Sequence, residues 1–408
     1  MDFQSLLTLF LVAGTYGAVA VGRWPPFRMN RATLALVGAA AVVACGSLSL
    51  EEALGALDLH TLLLLFSMMV LNANLRLSGF FGLVAAGTLR VARTPRGLLA
   101  LLLASSGLLS ALFLNDTVCL MLTPLVLEVT RRLGRNPVPY LVGLATSANI
   151  GSVATLTGNP QNMLIGMSGN LGYLPFAAAL APVAVLGLGM NHLALVLAHP
   201  DEFAPGPLRP VAPLEVRVYR PLLYKSLAAT GLLLVLFLAG VPVSRAAFLA
   251  TSVLLVTRRL KPEKVFAEFD WQLLVMFSGL FVVTAALERA GWGALLASGL
   301  SVLAGQGLAG LMVLTAVLSN LVSNVPAVLL LRPMVGGLED PHRAWLAVAA
   351  ASTLAGNVTL LGSVANLIVA EQARRRQVTV SFGAYLRVGL PLSLATLALA
   401  WAWLSAMG

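Results

Sequence analysis

LSALFLNDTVCLMLTP (109–124) and LSNLVSNVPAVLLLRP (318–333) decide the fold. Each is apolar on both sides of a short polar centre, Asn115-Asp116-Thr117 in the first and Ser323-Asn324 in the second. Written one above the other, Ser110 meets Ser319, Asn115 meets Asn324 and Pro124 meets Pro333. The apolar segments that hold them, roughly 97–133 and 306–335, are each too long for a single spanning helix of ~20 residues. Lipid leaves no backbone group unsatisfied, so a polar break at membrane depth must be buried in protein or line a cavity. Two half-length helices meeting at a polar tip, a re-entrant hairpin, meet that condition.

Two further blocks match in the same order. LLLLFSMMV (62–70) resembles QLLVMFSGL (272–280). SANIGSVATLTGNPQN (147–162) resembles STLAGNVTLLGSVAN (352–366) with one residue inserted, which pairs Gly151 with Gly356, Gly158 with Gly362 and Asn162 with Asn366. The remaining apolar runs predict spans at 5–21, 32–50, 59–76, 138–167, 174–198, 221–241, 245–257, 271–288, 343–370 and 383–406. Each half contributes an odd number of spans, so the second unit sits upside down relative to the first. That is the architecture of alternating-access transporters, whose sites lie near the midplane at broken helices. The expected fold is an all-α integral membrane protein: two inverted repeats of five transmembrane helices, each with one re-entrant hairpin and one broken helix. The first repeat covers 1–198 and the second 221–408. A polar cytoplasmic linker, 199–220, carries Pro200, Pro205, Pro207, Pro210 and Pro213 between them.

Composition agrees. Apolar residues make up 59% of the 408 and charged residues 10%, too little charge to cover a soluble protein. The runs are continuous and rich in Leu and Ala, unlike the alternating segments of a β-barrel. A net charge of +10 would suit nucleic acid, but the basic residues cluster between spans. The clusters are Arg23, Arg28 and Arg31; Arg90, Arg93 and Arg96; Arg131, Arg132 and Arg135; Arg258, Arg259, Lys261 and Lys264; Arg374, Arg375 and Arg376. This is the positive-inside pattern of a bilayer protein, with no nucleic-acid partner. It predicts an inner-membrane protein with both termini extracytoplasmic. Only Arg245, Arg289, Arg332 and Arg343 then fall outside the cytoplasmic loops and their flanks. Leu6 to Val21 reads as a retained first helix, not a cleaved leader. Cys45 and Cys119 give neither a disulfide framework nor metal spacing. There is no Walker loop, metal-binding His pair or nucleophile–base pair, so no enzyme and no ATP-driven pump is expected. The short loops offer little docking surface for a soluble ATPase partner.

Four polar clusters fall at membrane depth. They are Asn115, Asp116 and Thr117; Ser147, Asn149, Gly151, Ser152, Thr157, Gly158, Asn159 and Asn162; Ser323 and Asn324; and Gly356, Asn357, Thr359, Gly362, Ser363 and Asn366. Glycine and proline break the helix there and free backbone groups. Free carbonyls suit a cation, and free amides at a half-helix N-terminus suit an anion. Small polar residues also mediate close helix packing, which is the structural alternative for any one of them. Asp116 stands apart, because a carboxylate near the bilayer centre costs at least ~2.5 kcal/mol. It is a candidate to carry a proton or balance a cation, and Val325 takes its place in the second half. Arg332 holds an anion, pairs with a carboxylate or snorkels to the outer interface. Glu128 reads as an ion-pair partner of Arg131 or Arg132, and Asn72 and Asn74 as interfacial.

On these residues the chain resembles the ion transporter superfamily. That superfamily includes arsenite-efflux permeases, divalent anion:sodium symporters, citrate–metal transporters and one sodium/proton antiporter family. NDT at 115–117 resembles the first hairpin tip of arsenite permeases and SNVP at 323–326 their second. VTVSFGAYLRVGLPL (378–392) is similar to their C-terminal segment. TGNPQN (157–162) is closer to anion-permease members, and Asp116 departs from the Ser-Asn-Thr tips of the sodium-coupled dicarboxylate branch. The resemblance implies a static scaffold, about 1–96 plus 212–305, and a transport part, about 97–200 plus 306–408, sliding as an elevator. It implies secondary transport of a small inorganic or organic anion, arsenite included, coupled to protons or sodium, with no cofactor. Sodium/proton antiport is the alternative, and a passive channel a more distant one. A homodimer is compatible with the resemblance.

Overall fold

The computed structural model describes residues 3–24, 28–212, 214–256, 261–292 and 307–407. Arg258, Arg259, Pro213, the last residue of the 245–257 span, the first residue of the second hairpin and the end of the second scaffold part lie outside the described residues, and so does the side chain of Arg23. Among the described residues the regular structure is helical apart from one two-residue strand pair, Arg23–Trp24 with Met29–Asn30, and seven helices have the length and hydropathy to cross a membrane alone. The protein is a multi-pass membrane protein; of its shorter apolar helices, Gly307–Val322 and Asn324–Val335 are the arms of a hairpin, while Arg31–Ala44, Phe80–Val91 and Val243–Leu255 lie outside hairpins and breaks.

Both hairpins are present. The first runs up Pro95–Leu112 and returns along Asn115–Arg132; the second runs up Gly307–Val322 and returns along Asn324–Val335. Both broken helices are present too, as Pro137–Ser152 followed by Pro160–Ser168, and Pro341–Ala355 followed by Val364–Arg375. Prolines recur at matching places inside helices, Pro124 with Pro333 in the return arms and Pro182 with Pro391 in the long helices Tyr173–Ala198 and Phe382–Ala406.

The packing carries the repeat further than the sequence does. Arg31–Ala44 packs on Trp271–Arg289, and the matching pair, Val243–Leu255 on Leu59–Ser78, packs likewise. Each hairpin's return arm packs on the second piece of the other half's broken helix: Asn115–Arg132 on Val364–Arg375, and Asn324–Val335 on Pro160–Ser168. The two long Pro-containing helices pack on each other. The halves are therefore interlocked about a pseudo-twofold axis, not laid side by side.

Two expectations are corrected. The 32–50 span ends at Ala44, where Gly46 adopts a left-handed turn and Ser49 opens a separate short helix, Leu50–Gly55, by a capping box with Glu52. The loop after residue 76 contains a helix, Phe80–Val91, that begins at Gly79. Gly79 has a φ of 84°, and a Cβ there would stand 2.3 Å from the Arg217 carbonyl of the linker. Only glycine permits both the turn and that approach. The linker is thus fastened across the first half, through Tyr219 N–H to Ser78, Leu208 N–H to Arg93 and an Arg135–Glu202 ion pair at 2.8 Å. At the same basic face, hydrogen bonds from Arg375 and Arg374 hold the Glu371 carboxyl below its usual range.

Candidate functional site

The asparagines of the two broken helices build the centre. Asn162 donates to the carbonyls of Ser152 and Thr155, and Asn366 donates to those of Gly356 and Thr359, all within 2.8–3.1 Å. Each asparagine staples shut the break that precedes it. The clamps fix the repeat register: Ser152 corresponds to Gly356 and Thr155 to Thr359. No inserted residue is needed, so Gly151 is not the partner of Gly356. Asn159 and Ser363 occupy the same N-cap position, accepting from Asn162 N–H and Ala365 N–H respectively.

Across the pseudo-twofold axis the breaks are tied to each other. The Asn149 amide donates to Asn357 Oδ1 at 2.8 Å and to Asn366 Oδ1 at 3.0 Å. Its own Oδ1 accepts from Asn115 Nδ2 and from Ser363 Oγ, both at 3.1 Å. The related position is Thr353, whose hydroxyl accepts from Asn159 and Gln161, both at 3.2 Å. Asn149 is thus the hub that joins the first hairpin tip to the second broken helix. Buried amides in low dielectric are costly unless paired, so this network holds a single arrangement.

The candidates divide by position. Asn115, Asp116, Ser323, Asn324 and Ser363 line one cavity of about 700 Å³. Thr117 does not; it faces a separate chamber of about 110 Å³, together with Asp116. Ser147 is turned to Ser106 of the first hairpin at 2.6 Å. Gly151 is a packing contact, since a Cβ there would stand 2.1 Å from the Gly107 carbonyl. Gly158 is equally crowded by the Ser152 and Ser110 backbones, and Thr157 pairs with Thr155. Ser152, Asn159, Asn162, Gly356, Asn357, Thr359, Gly362 and Asn366 form the skeleton behind the cavity wall.

Other cavity residues were not among the sequence candidates. Gln161, Ser319 and Asn320 line it beside the tips, and Asn30, Arg31, Asp270 and Gln272 line it toward the helix ends at the basic face. Gln161 lies inside the quoted TGNPQN motif, and Ser319 is the repeat partner of Ser110, so these two were findable. Asn72 and Asn74 are not interfacial; they are buried. Arg332 is exposed and lines a second cavity, of about 750 Å³, with Asp58, His60 and Arg245. Glu128 pairs with Arg132 at 2.7 Å, as expected.

Of the two large cavities among the described residues, only the first reaches the tips. The second, of similar size, is lined by Gly166–Pro175 and Phe237–Arg245 and touches neither tip. The packing shows the same asymmetry. Leu59–Ser78 packs on Pro160–Ser168, and Trp271–Arg289 packs on Asn324–Val335. The twofold-related pairs, Trp271–Arg289 with Val364–Arg375 and Leu59–Ser78 with Asn115–Arg132, lack comparable packing.

Among known proteins, the silicon efflux transporter LSI3 of Oryza sativa subsp. japonica is 31% identical, over 95% of each chain. A 46 kDa membrane protein of Mycobacterium leprae is 30% identical over 97% of this chain and 96% of its own. The crystal structure of the YdaH transporter of Alcanivorax borkumensis superposes with a TM-score of 0.64 at 18% identity, covering 100% of this chain and 98% of that one. That likeness speaks for the fold. The family described as CitMHS, citrate transporter, matches residues 16–350. A membrane transporter with this interlocked repeat, the chain belongs to the citrate transporter family.

Proposed function

We propose that the chain is a secondary active transporter that exchanges a small hydroxylated oxyacid or its anion, of the silicic or arsenous kind, for protons. The observation that carries this reading is the lining of the cavity at the two tips. Its polar side chains there are amides and hydroxyls, set among apolar Leu321, Val325 and Leu361, with Asp116 as the one carboxylate at a tip. Arg31 is the cavity's one basic side chain among the described residues, and it comes from the end of a scaffold helix, not from a tip. A tricarboxylate would bring several negative charges to tips that hold no cation. An undissociated oxyacid brings hydroxyl groups, which amides and hydroxyls bind as both donors and acceptors. The name of the rice relative, a silicon efflux transporter, agrees with this class.

Asp116 carries the coupling proton. The tips differ in their free amides: neither Asn115–Arg132 nor Asn324–Val335 has a side-chain N-cap, but the Asn115 amide is taken by the Gly158 carbonyl at 3.0 Å, while Asn324 N–H has no acceptor among the described residues. Solute binds between the tips, and the transport part, 97–200 with 306–408, slides against the scaffold, 1–96 with 212–305. Support comes from the polar network, whose bonds from Asn149 all run within the transport part. The one-sided cavity and the broken twofold packing suit one end state of alternating access. In the inner membrane, with both termini outside, that state faces the cytoplasm.

A thermal-shift screen of the purified protein tests the substrate class. Arsenite and silicate should raise the melting temperature without sodium, by an amount worth about 2.7 kcal/mol at a hundredfold excess over Kd. A shift by citrate or succinate alone would contradict the reading. External sodium pulses that alkalinise the lumen of liposomes free of any oxyacid would favour sodium/proton antiport instead.

A further inference from the structure

Behind the first hairpin tip lies the chamber of about 110 Å³, walled by scaffold and hairpin together. Asp116 and Thr117 face it from the hairpin; Asn72, Arg76, Glu268 and Asp270 face it from the scaffold. Asn72 is 3% exposed, and neither its Oδ1 nor its Nδ2 has a partner. A buried amide with both ends unpaired costs about 1–3 kcal/mol per group, so it needs an occupant. The chamber has room for several water molecules, each taking about 30 Å³ in the liquid. No three metal-ligating side chains converge here or elsewhere among the described residues. The chamber's amide, hydroxyl and carboxylate groups suit water and protons.

We propose that this chamber is the proton port of Asp116: a water-filled path, organised by Asn72, through which Asp116 exchanges its proton with the carboxylates of Asp270 and Glu268 at the basic face. The proposal rests on the reading of Asp116 as the coupling group. The proton leaves the Asp116 carboxyl, crosses the chamber waters and reaches Asp270. There one oxygen caps the helix by accepting from Leu273 N–H at 3.1 Å, while Glu268 is held by Arg76 at 2.5 Å. The charged and titratable groups around Asp116 are Arg31 and Asp270 at the large cavity, Glu268 and Arg76 across the chamber, and Cys119 on its own helix.

The second half explains why the port would open to one side. There Trp271–Arg289 packs directly on the hairpin arm, and Val325 replaces Asp116. If the first half adopts the related packing in the opposite end state, Asn115–Arg132 closes on Leu59–Ser78 and squeezes the chamber shut. Asp116 then loses its path to the basic face whenever the solute site leaves it.

The test uses the whole protein in liposomes with trapped pyranine, arsenite as the probe solute, and two assays. Net solute flux down its gradient reads proton movement. Counterflow at equal pH on both sides reads solute exchange, which requires no change of protonation. Loss of a positioned proton-transfer partner costs on the order of 100-fold. Asn72→Leu, which fills and dries the chamber, should slow proton-linked flux to that extent and leave counterflow near wild type. Asn72→Ser, which keeps a hydroxyl and space for water, should retain most of both. Proton-linked flux at wild-type rate in Asn72→Leu overturns the port. Equal loss of flux and counterflow in both variants overturns it as well, because Asn72 is then structural. If Asp116→Asn still couples protons, the reading of Asp116 itself fails, whatever Asn72 does.

Discussion

The two hairpin tips have matching sequences and opposite characters. At the first, the backbone turns without strain: Leu114, the residue before the return helix, has φ −57° and ψ 122°. The next amide, Asn115 N–H, is tied to the Gly158 carbonyl at 3.0 Å, and the Asn115 side chain to Asn149. At the second, Ser323 holds φ 77° and ψ 159°, a region populated almost wholly by glycine. The matching amide, Asn324 N–H, has no acceptor among the described residues, and the Asn324 side chain accepts from its own hairpin, Ser319 Oγ at 2.5 Å. The first tip is pinned to its neighbours and charged; the second is strained, neutral and more open to the cavity. Under the proposed function, the first tip is the coupling end and the second the solute end.

Paired substitutions sharpen that contrast, beginning with the hubs. Asn149→Ala orphans Asn115, Asn357, Asn366 and Ser363 at once and should cost on the order of 3–5 kcal/mol. Its counterpart Thr353→Ala orphans two amides with other partners nearby and should cost about 1–2 kcal/mol. Thermal unfolding in detergent checks both, and equal losses would mean the tips are held alike. Close approach gives the next contrast. Gly151→Ala drives a methyl into the Gly107 backbone and should cost about 3 kcal/mol or prevent folding. The repeat counterpart of Gly151 is Ala355, which already carries a methyl, and Gly356→Ala beside it meets its nearest atom, the Thr353 carbonyl, at 3.1 Å and should cost less than about 1 kcal/mol.

The clamps serve as the symmetric control. Asn162→Ala and Asn366→Ala each remove two bonds to break carbonyls and should lose about 1–3 kcal/mol, by similar amounts. A large difference would break the assignment of the two breaks as equivalents. The smallest effect has the opposite sign. Ser323→Gly relieves the strained turn and should raise stability by about 1 kcal/mol, less the added entropy of the unfolded chain. Leu114→Gly, at an unstrained turn, should only destabilise.

What the sequence made legible follows from where the signal is local. A polar triplet inside an apolar run announces a break, and two such runs in register announce a repeat, so both hairpins and both broken helices were readable. Gly46 and the Ser49–Glu52 capping box were also in plain sight, and they end the second span six residues early. The cavity wall was not readable in the same way. Asn72 sits one turn from Arg76 and reads as a helix end near the headgroups. It is buried because helices distant in sequence, among them Val243–Leu255, Pro262–Phe266 and Trp271–Arg289, pack on Leu59–Ser78, and it faces Glu268 and Asp270 across the chamber. Arg31 and Gln272 likewise reach the cavity only through the cross-pairing of Arg31–Ala44 with Trp271–Arg289. Periodicity gives each helix its apolar face but not the partner that the face meets.

The most direct test of the account is proton movement in Asp116→Asn. Purified wild type and variant are placed in liposomes with trapped pyranine, and an arsenite gradient is imposed at equal pH on both sides. Wild type should move protons opposite to the solute. Asp116→Asn should exchange arsenite across the membrane without moving protons, and, freed of a carboxylate at membrane depth, should melt no lower than wild type. A variant that carries arsenite and still moves protons like wild type would contradict the division of labour between the two tips.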